Sequence, residues 1–227
     1  MTASTSNAGF TAPMTNELSI AAVTAVLKNL LGNGVVGAAS SNGIGDVNIT
    51  ALPPDRLTTG TDERSQLNLF MYRVAPFSAL ANRTTFVRKE RPLAKGNSSP
   101  PLSVELSYLL TACGAEEFHA EVLLGTAMQL LHQTPILTPE TIRAALDGFS
   151  TRRGKVQSHP VKLAIAESQL ADQLQQIRIT PQFLSFEEMS KLWAALQARY
   201  RPSVCYQVSA VMIASSDHAD LRAKRTA

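Results

Sequence analysis

At 227 residues and 44% apolar side chains, the chain can bury a substantial core, and its length allows one domain or at most two small ones. A net charge of +3, spread along the chain, puts the pI at about 9.0 without a nucleic-acid-sized basic face, which argues against DNA binding. Two cysteines imply no disulfide framework, and nothing approaches the ~18 uninterrupted apolar residues of a membrane span.

Residues 1–15 are rich in Ser, Thr, Ala and Asn, carry no Lys or Arg and offer almost nothing to bury. They predict a flexible tail; the first basic residue is Lys28, so no secretory signal is read, and synthesis and assembly are expected in a cytoplasm. Val23, Val26, Leu27, Leu30 and Leu31 then form the apolar stripe of a first helix, with Lys28 and Asn29 on its wet face. Gly32-Asn33-Gly34 reads as its stop, and small residues to Gly45 as a loop.

Residues 46–52 predict a short strand halted by Pro53-Pro54. Residues 66–74 predict a longer strand, apolar on both faces and therefore central. Residues 102–110 alternate Leu102, Val104, Leu106, Tyr108 and Leu110 against Ser103, Glu105 and Ser107, as a strand with one covered face does. Ala120, Leu123, Leu124, Ala127, Met128 and Leu131 mark a helix ending near His132. Thr138-Pro139 opens another, carrying Ile142, Ala145, Leu146 and Phe149. Residues 150–173 show no clear pattern. Residues 176–181 read as a short strand stopped by Pro181.

The stretch from Ser185 to Ile213 is the most legible. Ser185 followed by Glu188 is a capping box. Behind it Met189, Leu192, Trp193 and Leu196 fall on one helical face, and after Tyr200-Arg201-Pro202 the alternation of Val204, Tyr206 and Val208 with Cys205, Gln207 and Ser209 is a strand. Together these elements predict an α/β (α+β) fold, with residues 16–214 as one domain holding a mixed sheet of about five strands and about four helices, and flexible tails at 1–15 and 215–227.

Apparent active-site signals have plainer readings beside them. Gly32-Asn33-Gly34-Val35-Val36-Gly37 matches the dinucleotide fingerprint, yet that chemistry needs a strand before the glycines and a helix after them, and here a helix comes first. Glu116 and His119 have the spacing of one carboxylate-histidine pair, whereas a di-metal bundle needs two such pairs and further carboxylates; an exposed Glu and His on a helix is the ordinary case. Cys113 with His119 or His132 would make a thiol and a base with no orienting third group, and Cys113 ends an apolar strand, where a cysteine packs as a small hydrophobe. His159 and His218 are set against no nucleophile, and the sequons at Asn48, Asn82 and Asn97 have no export signal to make them acceptors. No catalytic, cofactor-binding or metal residue is assigned, and no enzymatic activity is expected.

The least neutral stretch is residues 82–96. Arg83, Arg88, Lys89, Arg91 and Lys95 face a single acid, Glu90, between two strands. It reads either as a solvated hairpin loop or as a docking surface for an acidic partner. A second basic segment, with Arg222, Lys224 and Arg225, trails the last strand, where a partner could order it.

In one consistent order, the blocks at residues 18–23, 52–55, 67–74, 106–112 and 176–181, then Leu192-Trp193-Ala194-Ala195-Leu196-Gln197 through Tyr206-Gln207-Val208-Ser209, resemble the cap, or tube-terminator, proteins of extracellular contractile injection systems. These phage-tail-like particles carry caps similar in role to contractile-phage tail terminators. The resemblance spans about residues 16–213 and implies a homo-hexameric ring that closes the inner tube, with tube protein and sheath protein as partners; charge, hydropathy and motifs lead independently to the expectation of no nucleic acid, no membrane insertion and no cofactor. The eight basic residues named above become the expected tube or sheath interface, in a particle assembled in the producing cell and released from it or retained. The 1–15 leader and the length of the 82–96 loop depart from the family pattern. Rival readings are an adaptor or baseplate-side part of the same particle and, from another class, a small hydrolase or metal enzyme.

Overall fold

A computed structural model describes residues 18–57, 63–77, 102–151 and 177–213. The elements run α1 (Ser19–Ser41), β1 (Asn48–Thr50), a 3-10 turn (Pro54–Arg56), β2 (Gln66–Pro76), β3 (Leu102–Cys113), α2 (His119–Gln133), β4 (Ile136–Leu137), α3 (Pro139–Thr151), β5 (Ile177–Gln182), α4 (Phe186–Ala195) and β6 (Ser203–Ile213). The strands form one six-stranded sheet in the order β1-β2-β3-β6-β5-β4. Only β1 and β2 run parallel, so the sheet is mixed as expected, with the two-residue β4 as a sixth strand too short to read from sequence.

The alternation in β2, β3 and β6 separates two faces. Leu69↔Leu110, Met71↔Tyr108, Tyr108↔Tyr206 and Leu110↔Val204 are cross-strand partners on the first face, where α1, α2 and α3 cover a large apolar core. Phe70↔Leu109 and Leu109↔Cys205 lie on the second, where α4 brings Trp193 onto Leu109 and Cys205. The central strand β3 is therefore covered on both faces from Leu106 to Cys113, not on one as its alternation suggests. In β2 the two-sided burial holds for Gln66 to Leu69 and then fades to an exposed Val74 beyond a bulge at Tyr72.

The first helix is where the structure most corrects the reading. It does not stop at Gly32-Asn33-Gly34 but runs 23 residues to Ser41. Gly34 sits where an added Cβ would lie 2.5 Å from a methyl of Leu130 in α2, so the missing side chain permits close helix packing, which offsets a helix-propensity loss of about 1 kcal/mol. The true stop is Gly43, at φ +76°, where Ile44 N–H donates to the Ala39 carbonyl. Asn29 is also not on a wet face; it is buried and its amide donates to the Ala145 carbonyl of α3. Because the helix is longer than predicted, it passes by length and composition as a possible membrane span, although half of its most apolar window is buried against the rest of the fold.

Smaller corrections follow the same logic. β1 is three residues, not seven, and the chain beyond it is held by a side chain: Asn68 accepts from Leu52 N–H at 2.9 Å and Thr50 Oγ1 at 2.8 Å, and donates to the Leu52 carbonyl at 2.8 Å. Pro181 does not end β5 but lies within it, because past Arg178 the strand has β6 on one side and no strand on the other among the described residues.

Candidate assembly surfaces

Two surfaces stand out from the described residues, one on each layer. The first is built on α4. Its capping box is complete: Glu188 N–H donates to Ser185 Oγ at 3.2 Å, and the Glu188 carboxylate accepts from Ser185 N–H at 2.8 Å. These bonds hold the Glu188 carboxyl below its ordinary pKa. Leu184 and Met189, flanking the cap, both pack toward Trp193, as a hydrophobic staple does. Trp193 Nε1–H points to Ser203 Oγ at 3.4 Å, and its ring meets Tyr200 at a centroid distance of 5.7 Å and an angle of 57°. Trp193, Tyr200, Phe186 and Ser190 line an open cleft. Phe183, Phe186 and Tyr200 expose 83%, 84% and 59% of themselves, which no folding argument explains.

The second surface is the turn from β3 into α2. Gly114 lets the chain pass tightly, since a Cβ there would lie 2.7 Å from the Ala120 amide nitrogen. Ser65 Oγ accepts from Ala115 N–H at 3.3 Å and meets His119 Nδ1 at 3.2 Å. His119 Nε2 lies 3.7 Å from a Glu116 carboxylate oxygen. The turn leaves Phe118 at φ +67°, a left-handed conformation costly for a bulky residue, with 65% of its surface exposed beside Val122. Glu116, Glu117 and Glu121 surround it, all exposed.

Among the described residues, the cysteines and histidines come nearest to resembling chemistry. Cys113 is buried and free, and burial pushes its thiol pKa up, the opposite of an activated nucleophile. His119 is engaged with Ser65 and Glu116, while His132 sits near the far end of α2. Cys205 is also buried, and the adjacent Tyr72 hydroxyl is pushed up to about 12 by burial and then by Cys205. Among the described residues no three His, Cys, Asp or Glu gather closely enough to hold a metal ion. The glycine fingerprint lies wholly inside α1, with neither a strand before it nor a loop within it to wrap a pyrophosphate.

Arg83, Arg88, Lys89, Arg91 and Lys95 lie outside the described residues, as do Arg222, Lys224, Arg225, His159 and His218. What the structure does place is where their segments leave the sheet. β2 and β3 pair out to Pro76↔Val104, Phe77 N–H donates to the Ser103 carbonyl at 2.9 Å, and Leu102 pairs with Ile213. Both basic segments are therefore rooted at one end of the central β2-β3-β6 ribbon. The α4 cleft and the Phe118 turn lie toward the other end, beside Ser203 and Cys113. The exposed aromatics were not singled out from sequence, because an apolar residue beside a helix stripe gives no sign of whether it points in or out.

Residues 22–223 match the Pvc16 N-terminal domain family. The chain belongs to that family. No curated protein matches it in sequence. Among solved structures it is similar to the sheath/tube terminator, in the extended state, of the extracellular contractile injection system PVC, at 16% identity and a TM-score of 0.45, covering 84% of this chain and 57% of that one. It is also similar to the tube-terminating cap of the anti-feeding prophage, at 16% identity and a TM-score of 0.32, covering 74% of this chain and 49% of that one. The chain thus spans about half the length of both. Family membership agrees with the resemblance carried by the ordered sequence blocks.

Proposed function

We propose that the chain is a structural, non-enzymatic cap that closes and terminates the inner tube of a phage-tail-like contractile injection particle and contacts the last sheath layer, acting as a homo-hexameric ring. The observation that carries this is the family match over residues 22–223. The fold supplies what such a part needs: a stiff six-stranded sheet clamped by helices on both faces, with two basic segments rooted together at one end. That end is the proposed tube-facing and sheath-facing end. Arg83, Arg88, Lys89, Arg91 and Lys95 are assigned to the tube, and Arg222, Lys224 and Arg225 to the sheath, with residues 1–15 and 215–227 as tails on a domain spanning 16–214. Assembly takes place in the producing cell, and the particle then acts outside it.

Six copies turn a weak contact into a decisive one. One exposed ion pair of about 0.5 kcal/mol per subunit sums to about 3 kcal/mol per ring, more than a hundredfold in association. Arg88→Glu with Lys89→Glu is therefore expected to give folded rings that fail to sediment with tubes, and raised salt to weaken the parent in the same assay. The decisive test is electron microscopy of particles from a strain lacking the protein. Over-long or ragged tubes support a cap; a complete absence of tubes makes the chain a baseplate-side part instead.

A further inference from the structure

A ring built by rotation needs two different surfaces on each subunit that fit one another, whereas a two-fold dimer needs only one. The two exposed apolar surfaces of this chain meet that requirement. They lie on opposite layers of the sheet, one on α4 and the other at the start of α2. Their rims differ in charge: beside the aromatic cleft the exposed Arg199 and the Lys191–Glu187 pair, with Glu188 at the helix start, make a mixed rim, while the exposed Glu116, Glu117 and Glu121 stand next to Phe118 along the chain. From these features, and resting on the ring reading above, we propose that the aromatic cleft of one subunit receives the Phe118 turn of the next, a head-to-tail contact between second copies of this chain.

Size supports a second copy as the occupant. An aromatic side chain buries about 150–250 Å², so Phe183, Phe186 and Tyr200 at their observed exposures offer roughly 300–600 Å². A stable interface covers about 800 Å² on each partner, so the patch supplies about half of one side, with the charged rim around it for the remainder. A small-molecule pocket would be concave and enclosed; this cleft is open, lined by three aromatic rings and carried on a capped helix, which suits a protruding aromatic side chain. The left-handed backbone at Phe118 fits the same account. A strained conformation that turns a phenyl ring outward is costly to the isolated subunit, a cost that burial of the ring against a neighbour offsets.

On assembly with tube protein the full chain is expected to show rings by native mass spectrometry. Phe186→Ser with Tyr200→Ser, both at exposed positions, should keep the parent's circular dichroism while raising the ring-forming concentration more than tenfold. Glu117→Lys with Glu121→Lys should weaken rings about tenfold, and combining it with Lys191→Glu and Arg199→Glu should restore them, which a merely structural role would not produce. Rings that form equally well in all three variants, or a swapped pair that rescues nothing, overturn this contact while leaving the cap intact. If the parent itself forms no rings with tube protein, the hexamer fails and this contact fails with it.

Discussion

The two faces of the sheet are built from the same three central strands and are used differently. On the first face α1, α2 and α3 bury Leu106, Tyr108, Leu110, Val204 and Val208 in a thick apolar layer. On the second a ten-residue helix covers Leu109 and Cys205 through one tryptophan and leaves large aromatics in solvent. The thick face spends its apolar residues on holding the sheet. The thin face has apolar surface left over, and the surplus is where a partner can be recognised.

This contrast is open to direct attack. Leu106 and Leu109 are both fully buried on β3 but face opposite layers. Leu106→Ala is expected to cost about 3–5 kcal/mol, and Leu109→Ala about 2–3 kcal/mol because a thin layer collapses more readily into the space left behind. Chemical denaturation of the two variants tests this, and equal costs would mean that α4 is as rigid a lid as the three helices opposite.

Asn68 belongs to the same strands but works through hydrogen bonds. Its replacement by Ala leaves both backbone groups of Leu52 without their partner and is expected to cost about 1–3 kcal/mol. Early hydrogen exchange at Leu52 should accompany the loss.

The glycines of α1 offer a smaller test on the thick face. An alanine at Gly34 must displace the Leu130 methyls, whereas nothing lies within 4 Å of a Cβ at Gly37. Gly37→Ala should therefore stabilise by about 0.5–1 kcal/mol, and Gly34→Ala should fall below it by about 1–2 kcal/mol. Thermal melts of the two side by side would show the difference. If both alanines stabilise equally, the α1–α2 contact is looser than the geometry requires.

On the thin face the smallest expected effect is at the cap. Ser185→Ala should cost about 1 kcal/mol. Because the Glu188 carboxyl is held below its ordinary pKa, its contribution is complete above the unfolded value of about 4.3 and is lost as pH falls through the folded one. Acid melting curves of parent and Ser185→Ala should therefore converge as pH drops; parallel curves would mean that the capping bonds carry none of the pH dependence.

How far the sequence could be read depended on whether a signal is local. The capping box at Ser185, the strand from Ser203 to Ile213, the helix opened by Thr138-Pro139 and the pairing of residues around 66–76 with 102–113 are all visible, because caps, prolines and period-two alternation act within a few residues. Gly32-Asn33-Gly34 misled because a glycine that ends a helix and a glycine that admits a neighbouring helix are written alike; only the position of Leu130, nearly a hundred residues away, separates them. Asn29 misled for the same reason, its partner being the Ala145 carbonyl. The basic residues at 83–95 and 222–225 were legible as charge, while the convergence of their roots required the register of three strands.

The sequence by itself determined the class of fold, the order of its elements apart from the two-residue β4, and the family, since these rest on periodicity and on the succession of blocks along the chain. It also determined that Cys113 and Cys205 would pack as hydrophobes, because both sit in apolar strands. Only the tertiary structure decided where α1 ends, which face of β3 is thick, and that Phe118, Phe183, Phe186 and Tyr200 remain in solvent. Burial is a property of what arrives from elsewhere in the chain, and a side chain's own letter does not carry it.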